Sequence, residues 1–159
     1  MNIKIGFGVD VHQLVENRDL FIGGVKLDSE LGALGHSDAD VLLHAICDAL
    51  LGALNLRDIG FHFSDKDPKY KGIDSQILLK ETFKLIKNKG FVLGNMDATV
   101  ILEQPKVNPH IPKMQEIIAD ILETEIDNVS IKATTHEKVD SFGENRAIKA
   151  YAVCLLMKN

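Results

Sequence analysis

Two short groups of residues in this 159-residue chain have the types and spacing that do chemistry. In "GFGVDVHQL", residues 6–14, Asp10 and His12 alternate with Val9 and Val11. On a strand such residues share a face, with Cα atoms roughly 6.5–7 Å apart. A carboxylate and an imidazole placed so can meet on one metal ion, or can simply face water. In "HSDADVLLHAICDALL", Asp40 and His44 stand four apart and share a helix face. Beside them runs an apolar face of Val41, Leu42, Ala45, Ile46, Ala49 and Leu50. A histidine next to such a face can be a hydrogen-bonded core residue, or it can be a third ligand. Two imidazoles and one carboxylate hold Zn²⁺ with a fourth position open, the pattern of a catalytic site. Asp40 then has the option of orienting a histidine ring from behind.

His36 and Ser37 stand at the entrance of that helix, where unpaired backbone N–H groups favour a phosphate. Ser37 also reads as the helix N-cap. Further on, "KATTHEKVD" delivers Thr134 and Thr135 at a strand end, followed by Glu137. A glutamate there can bind a hard cation such as Mg²⁺ together with phosphates, or can be merely exposed. Lys106 lies in a loop between prolines, "EQPKVNPH". No Ser, Cys or Lys stands out as an activated nucleophile. Cys47 and Cys154 sit far apart in apolar runs and read as small buried hydrophobes.

The elements that must position these residues follow from the periodicity. Strands are expected at 3–12, 20–27, 96–102, 128–134 and 147–157. Helices are expected at about 38–54, at 74–88 with Ile77, Leu78, Leu85 and Ile86 inward, and from Pro112 to about 124. Residues 55–73 form a long irregular run of the kind that serves as a lid. The order predicts an α+β fold, one mixed β-sheet with helices packed on it. The length suits a single domain spanning 1–159. A charge of −5, from 18 basic and 23 acidic residues, argues against a broad nucleic-acid footprint. No apolar run approaches the ~18 residues of a membrane span, and the N-terminus carries no secretory or transit pattern. A cytoplasmic protein is the expectation.

Together, "DVH", "HSDADVLLHA", "DIG", "FSDKDPKYKGIDS", "PKVNPHIP" and "KATTHEK", in that order, resemble the 2-C-methyl-D-erythritol 2,4-cyclodiphosphate synthase family of the non-mevalonate isoprenoid pathway. The resemblance covers nearly the whole chain. It implies a homotrimer with active sites between subunits. It implies a substrate, 4-diphosphocytidyl-2-C-methyl-D-erythritol 2-phosphate, whose 2-phosphate attacks its own β-phosphorus and expels CMP. On that footing Asp10, His12 and His44 bind Zn²⁺, and Glu137 binds Mg²⁺ or Mn²⁺. Asp58 and Gly60 hold the ribose. Pro105, Lys106, Val107, Asn108, Ala133, Thr134 and Thr135 form the cytidine pocket and its phosphate contacts. His36, Ser37, Asp65 and Lys71 engage the methylerythritol phosphate half. Phosphoryl transfer asks for positioning and charge neutralisation, which two metals can supply in an acidic protein.

One interval departs from the family pattern. Where a glycine-rich turn carrying an Arg is usual, this chain reads "VDSFGENRAIKA", with Glu144 at the Arg position and Arg146 two residues later. A phosphate contact from that Arg, and isoprenoid diphosphate binding on the trimer axis, are expected to be altered or lost. His136 replaces a frequent Thr and reads as a solvent-facing change; His62 falls in the lid. Two rivals use the same residues. Two His and one carboxylate also ligate Fe(II) in non-haem oxygenases, though usually on a β-barrel. A non-catalytic nucleotide-binding scaffold is the other, with the altered turn marking lost activity.

Overall fold

A computed structural model describes residues 2–159. The N-terminal strand β1 (Ile3–Glu16) runs past its expected end. The expected strand over 20–27 divides into a hairpin, β2 (Leu20–Ile22) and β3 (Val25–Leu27). Gly23 and Gly24 both take positive φ, +60° and +79°, as a two-residue primed turn requires. A short β4 (Leu31–Ala33), not anticipated, pairs with the end of β1. There follow α1 (Val41–Ala53), the one-turn α2 (Ile59–His62), α3 (Ser75–Asn88) and β5 (Phe91–Ile101). The chain ends with α4 (Ile111–Ile121), β6 (Val129–Thr134), the one-turn α5 (Asp140–Gly143) and β7 (Ala147–Lys158).

Five strands form one sheet in the order β4–β1–β7–β5–β6. β7 runs antiparallel to both β1 and β5, whereas β5 and β6 are parallel, so the sheet is mixed as an α+β fold requires. β1, β5 and β6 thus run in the same direction, and their C-terminal halves point to the same end of the sheet. Asp10 and Val100 both pair with Ala150, and Val100 pairs with Ala133. Asp10 and His12, the 105–108 turn and Thr134 therefore gather toward one end.

Helix α1 lies directly on β1 because both surfaces are bare of bulk. A Cβ at Gly6 would stand 1.8 Å from the Ala49 carbonyl oxygen, and one at Gly8 would stand 2.0 Å from that of Ala45. Ala45, Ala49 and Ala53, spaced by four, form the facing ridge of the helix. The next residue on that face of β1 is Asp10, so the close approach carries His44 over it. The core under the sheet joins Leu42, Ile46 and Leu50 to Leu79, Phe83 and Ile86 of α3 and to Met114 and Ile118 of α4. Of the residues expected inward on α3, Leu78 and Ile86 are buried, whereas Ile77 is half exposed; the buried stripe is completed by Leu79, Thr82 and Phe83. Cys47 and Cys154 are buried free thiols. The other face of the sheet is bare and apolar, with Ile5 69% and Phe7 63% exposed beside Val9, Val11, Val153 and Met157. No helix among the described residues is long and apolar enough to cross a membrane.

Candidate metal centre and active site

Asp10 and His12 project from the α1-facing side of β1, and His44 projects from the first turn of α1, toward one point. His12 Nε2 lies 2.8 Å and His44 Nδ1 3.1 Å from Asp10 Oδ2, and these two ring nitrogens are 3.3 Å apart. Ligand atoms at about 2.0–2.1 Å from a tetrahedral Zn²⁺ stand roughly 3.3–3.4 Å from one another. The three atoms thus already sit near three corners of one tetrahedron, and the donor set fits the ion. Among the described residues this is the one cluster of three such side chains close enough to share a metal. Burial raises the Asp10 carboxyl, but hydrogen bonds and charge from both rings outweigh it and hold Asp10 at about 2. Burial lowers the His12 imidazole, yet the bond and charge of Asp10 leave it raised overall.

The two histidines offer different ring nitrogens. His12 Nδ1 bonds the Leu34 carbonyl oxygen at 2.9 Å, which frees Nε2 for the shared point. His44 Nε2 is taken by Ser75 Oγ at 2.9 Å and Ser37 Oγ at 3.2 Å, which frees Nδ1. Asp40 plays no part in this, contrary to the sequence expectation. Its carboxylate is fully buried and accepts the N–H groups of Gly23, Gly24 and Leu43 at 2.9, 2.7 and 3.1 Å. Burial pushes its carboxyl up to about 6 against the pull of those donors. Asp40, not Ser37, is also the N-cap of α1. Ala39, at φ +58°, turns the chain so that Asp38 and Asp40 point apart: Asp38 to Ser75, Asp40 to the β2–β3 turn.

A cavity of about 430 Å³ opens beside the triad. His36, Ser37 and Asp65, expected at the methylerythritol phosphate half, line it with Gly60, expected at the ribose, with Leu78, expected only as an inward residue of its helix, and with Ile59, Phe63 and Tyr70, for which the sequence suggests no role. Phe63 and Tyr70 pack edge to face at 5.6 Å, so the irregular segment carries its own aromatic wall. Asp48, one helical turn beyond His44, holds that segment by accepting the Ile59 N–H at 2.7 Å. Asp58 and Lys71 are exposed and stand outside the lining. A second cavity, of about 160 Å³, is lined by Pro105, Lys106, Val107, Asn108, Ala133, Thr134 and Thr135, with Leu102 and Glu103 at its base. Every residue expected around cytidine meets there.

Glu137 is exposed, at φ +51°, and its N–H donates to Thr135 Oγ1 at 3.2 Å. It lies outside the triad cluster of the same chain. His136 is bound by Asp140 at 2.9 Å, and His62 by the Leu56 carbonyl at 2.7 Å, so neither ring reaches the triad. In the altered turn Arg146 pairs with Glu144 at 2.7 Å.

A family model described as the YgbB family matches residues 3–157. The 2-C-methyl-D-erythritol 2,4-cyclodiphosphate synthase of Bacteroides fragilis is 58% identical over 156 residues, which cover 98% of both chains. The bifunctional IspDF of Campylobacter jejuni superposes with a TM-score of 0.95 at 37% identity; the match covers 99% of this chain and 42% of that one. An IspF of Plasmodium falciparum in complex with CDP superposes at 0.87 with 36% identity, covering 99% and 97%. From end to end, in sequence and in fold, the chain belongs to the YgbB family of 2-C-methyl-D-erythritol 2,4-cyclodiphosphate synthases.

Proposed function

We infer that this chain, as one catalytic domain over residues 1–159, converts 4-diphosphocytidyl-2-C-methyl-D-erythritol 2-phosphate to the 2,4-cyclodiphosphate and CMP. The observation that carries this reading is the convergence of Asp10, His12 and His44 beside a cavity, in a chain of this family. An oxygen of the 2-phosphate attacks the β-phosphorus, the bond from that phosphorus to the bridging oxygen breaks, and CMP leaves with that oxygen. The nucleophile is the substrate's own phosphate, in keeping with the lack of an activated Ser, Cys or Lys. Zn²⁺ held by Asp10, His12 and His44, and Mg²⁺ or Mn²⁺ held by Glu137, supply Lewis-acid polarisation and charge neutralisation when bound. His36, Ser37 and Asp65 seat the methylerythritol phosphate half, with Lys71 from the lid. The 105–108 turn and Ala133–Thr135 bind cytidine, and Asp58 with Gly60 binds the ribose.

A homotrimer with sites between subunits accounts for the separation of the two cavities. The substrate must touch both sets of residues, while Glu137 and the triad stand apart within one chain. The bare apolar face of β1 and β7 gives such an assembly a surface to bury. The open five-stranded sheet of the described residues and the second cavity disfavour an Fe(II) oxygenase. Phosphorus NMR of the purified protein with Mg²⁺ and the substrate tests the reaction. Cyclic diphosphate with equimolar CMP is the expected result; CDP or CMP bound without turnover would replace it with the scaffold reading.

A further inference from the structure

Among the described residues, His44 is the member of the triad that side chains from outside the triad hold. Its Nε2 lies 2.9 Å from Ser75 Oγ, at the first position of α3, 31 residues on. Ser75 is fully buried. Its hydroxyl donates to Asp38 Oδ1, and its backbone N–H donates to Asp38 Oδ2 at 3.0 Å. The Asp38 N–H in turn donates to the Ile73 carbonyl at 3.1 Å, so the carboxylate is fixed against the start of α3.

The proton count along this chain is settled at its Ser75 end. An ionised carboxylate accepts and never donates, and a serine hydroxyl has a single hydrogen. With that hydrogen spent on Asp38, Ser75 Oγ can only accept from His44. Nε2 must therefore carry a proton, which leaves the Nδ1 lone pair for a metal; without the metal, Asp10 Oδ2 at 3.1 Å is an acceptor that favours a proton on Nδ1 and so opposes the relay. Ser37, 3.2 Å from Nε2, cannot impose this choice alone: its oxygen accepts the Ala39 N–H, but its own hydrogen can turn either way. His12 needs no such device, because the Leu34 carbonyl oxygen is an acceptor by nature.

We propose that Asp38 and Ser75 are positioning residues, a carboxylate–hydroxyl–imidazole relay that fixes the tautomer of His44 and makes its Nδ1 a stronger ligand. The proposal rests on reading the triad as a metal centre. Carboxylates behind metal-bound imidazoles fix the ring and raise ligand basicity; here the hydroxyl is interposed, so the charge acts through it. The relay also joins the far end of the 55–73 segment to the metal ligand, since Asp38 grips both Ile73 and Ser75.

The test compares wild type, Ser75→Ala and Asp38→Asn as full-length proteins by two readouts. The first is the long-range ¹H–¹⁵N spectrum of the metal-free histidines at mildly alkaline pH, which reports the tautomer of His44. The second is Zn²⁺ affinity by chelator competition. Ser75→Ala should admit the Nδ1–H tautomer that Asp10 favours, mixing the two forms of His44, and weaken Zn²⁺ binding roughly 10–100-fold, the usual cost of losing such a partner. Asp38→Asn removes the charge and sets an amide donor against either the Ser75 hydroxyl or the Ser75 N–H, so it should shift the tautomer in the same direction and weaken binding by less. It also serves should the alanine variant fail to fold. Nε2–H retained in Ser75→Ala, with affinity within twofold or falling only in step with melting temperature, would overturn the relay. Mixed tautomers in a protein whose wild type binds no Zn²⁺ would uphold the relay and sink the metal centre instead.

Discussion

At the scale of single residues, the metal centre makes unequal demands on its neighbours. His12→Ala and His44→Ala each remove a proposed ligand. Both should lower zinc content and turnover together, by more than the 10–100-fold typical of a residue behind a ligand. Full zinc occupancy by elemental analysis in either variant would remove that residue from the ligand set. Glu137→Ala should leave zinc in place and cut the Mg²⁺-dependent rate, since Glu137 lies outside the triad cluster. Acid should compete with the metal through His12. Its raised pKa stabilises the metal-free fold below the unfolded value of 6.5, and this is lost as pH rises through the folded value. The lowered Asp10 contributes above its unfolded 3.8 and loses that contribution as pH falls toward about 2. The metal-free ion pair is thus best formed between these limits, and Zn²⁺ must displace its proton there. The gain in melting temperature on adding Zn²⁺ should be larger near about pH 8 than near about pH 5.5, on either side of an ordinary imidazole pKa. An equal gain at both would separate His12 from the metal.

At the scale of elements, two contacts decide where the ligands stand. Gly8→Ala places a methyl 2.0 Å from the Ala45 carbonyl oxygen. Backbone must move, which costs about 1–3 kcal/mol or more, as overpacking does. Because α1 carries His44, zinc affinity should fall along with the denaturation midpoint; an unchanged affinity would mean that α1 does not set the centre. Asp40→Ala removes the cap of α1 and the acceptor for the Gly23–Gly24 turn. A lost N-cap costs about 0.5–2 kcal/mol, and each buried group left unpaired about 1–3 kcal/mol. A loss of at least ~2 kcal/mol is expected from urea unfolding, by the same magnitudes. Most elements were legible in the periodicity, including the helix with His44 and the strand with Asp10. The β2–β3 hairpin was not, because "FIGGVKL" alternates like a strand until two positive φ values fold it back. Ser37 has the chemistry of a cap close by, but the cap is Asp40, whose carboxylate also reaches a turn 16 residues earlier in the chain.

At the scale of the whole molecule, the bare face of β1 and β7 is the feature that an isolated chain leaves unexplained. If that face closes the proposed homotrimer, Ile5→Asp with Phe7→Asp should give monomers by sedimentation. These monomers should lose turnover yet keep zinc, because all three ligands come from one chain. Monomers with undiminished activity would show that no site is shared between copies.

The sequence by itself determined which residues can do the chemistry. The i, i+2 spacing of Asp10 and His12 and the amphipathic helix around His44 follow from local periodicity, and the ordered motifs carry the family. Whether these residues meet is a matter of packing. Gly6 and Gly8 against Ala45 and Ala49 bring α1 onto β1, and the shared direction of β1, β5 and β6 sends three strand ends to one end of the sheet. The roles of Asp38 and Ser75 were out of reach of the sequence for the same reason. A hydrogen bond across 31 residues leaves no mark on local spacing, and only the folded chain decides that the serine opening α3 orients a ring on α1.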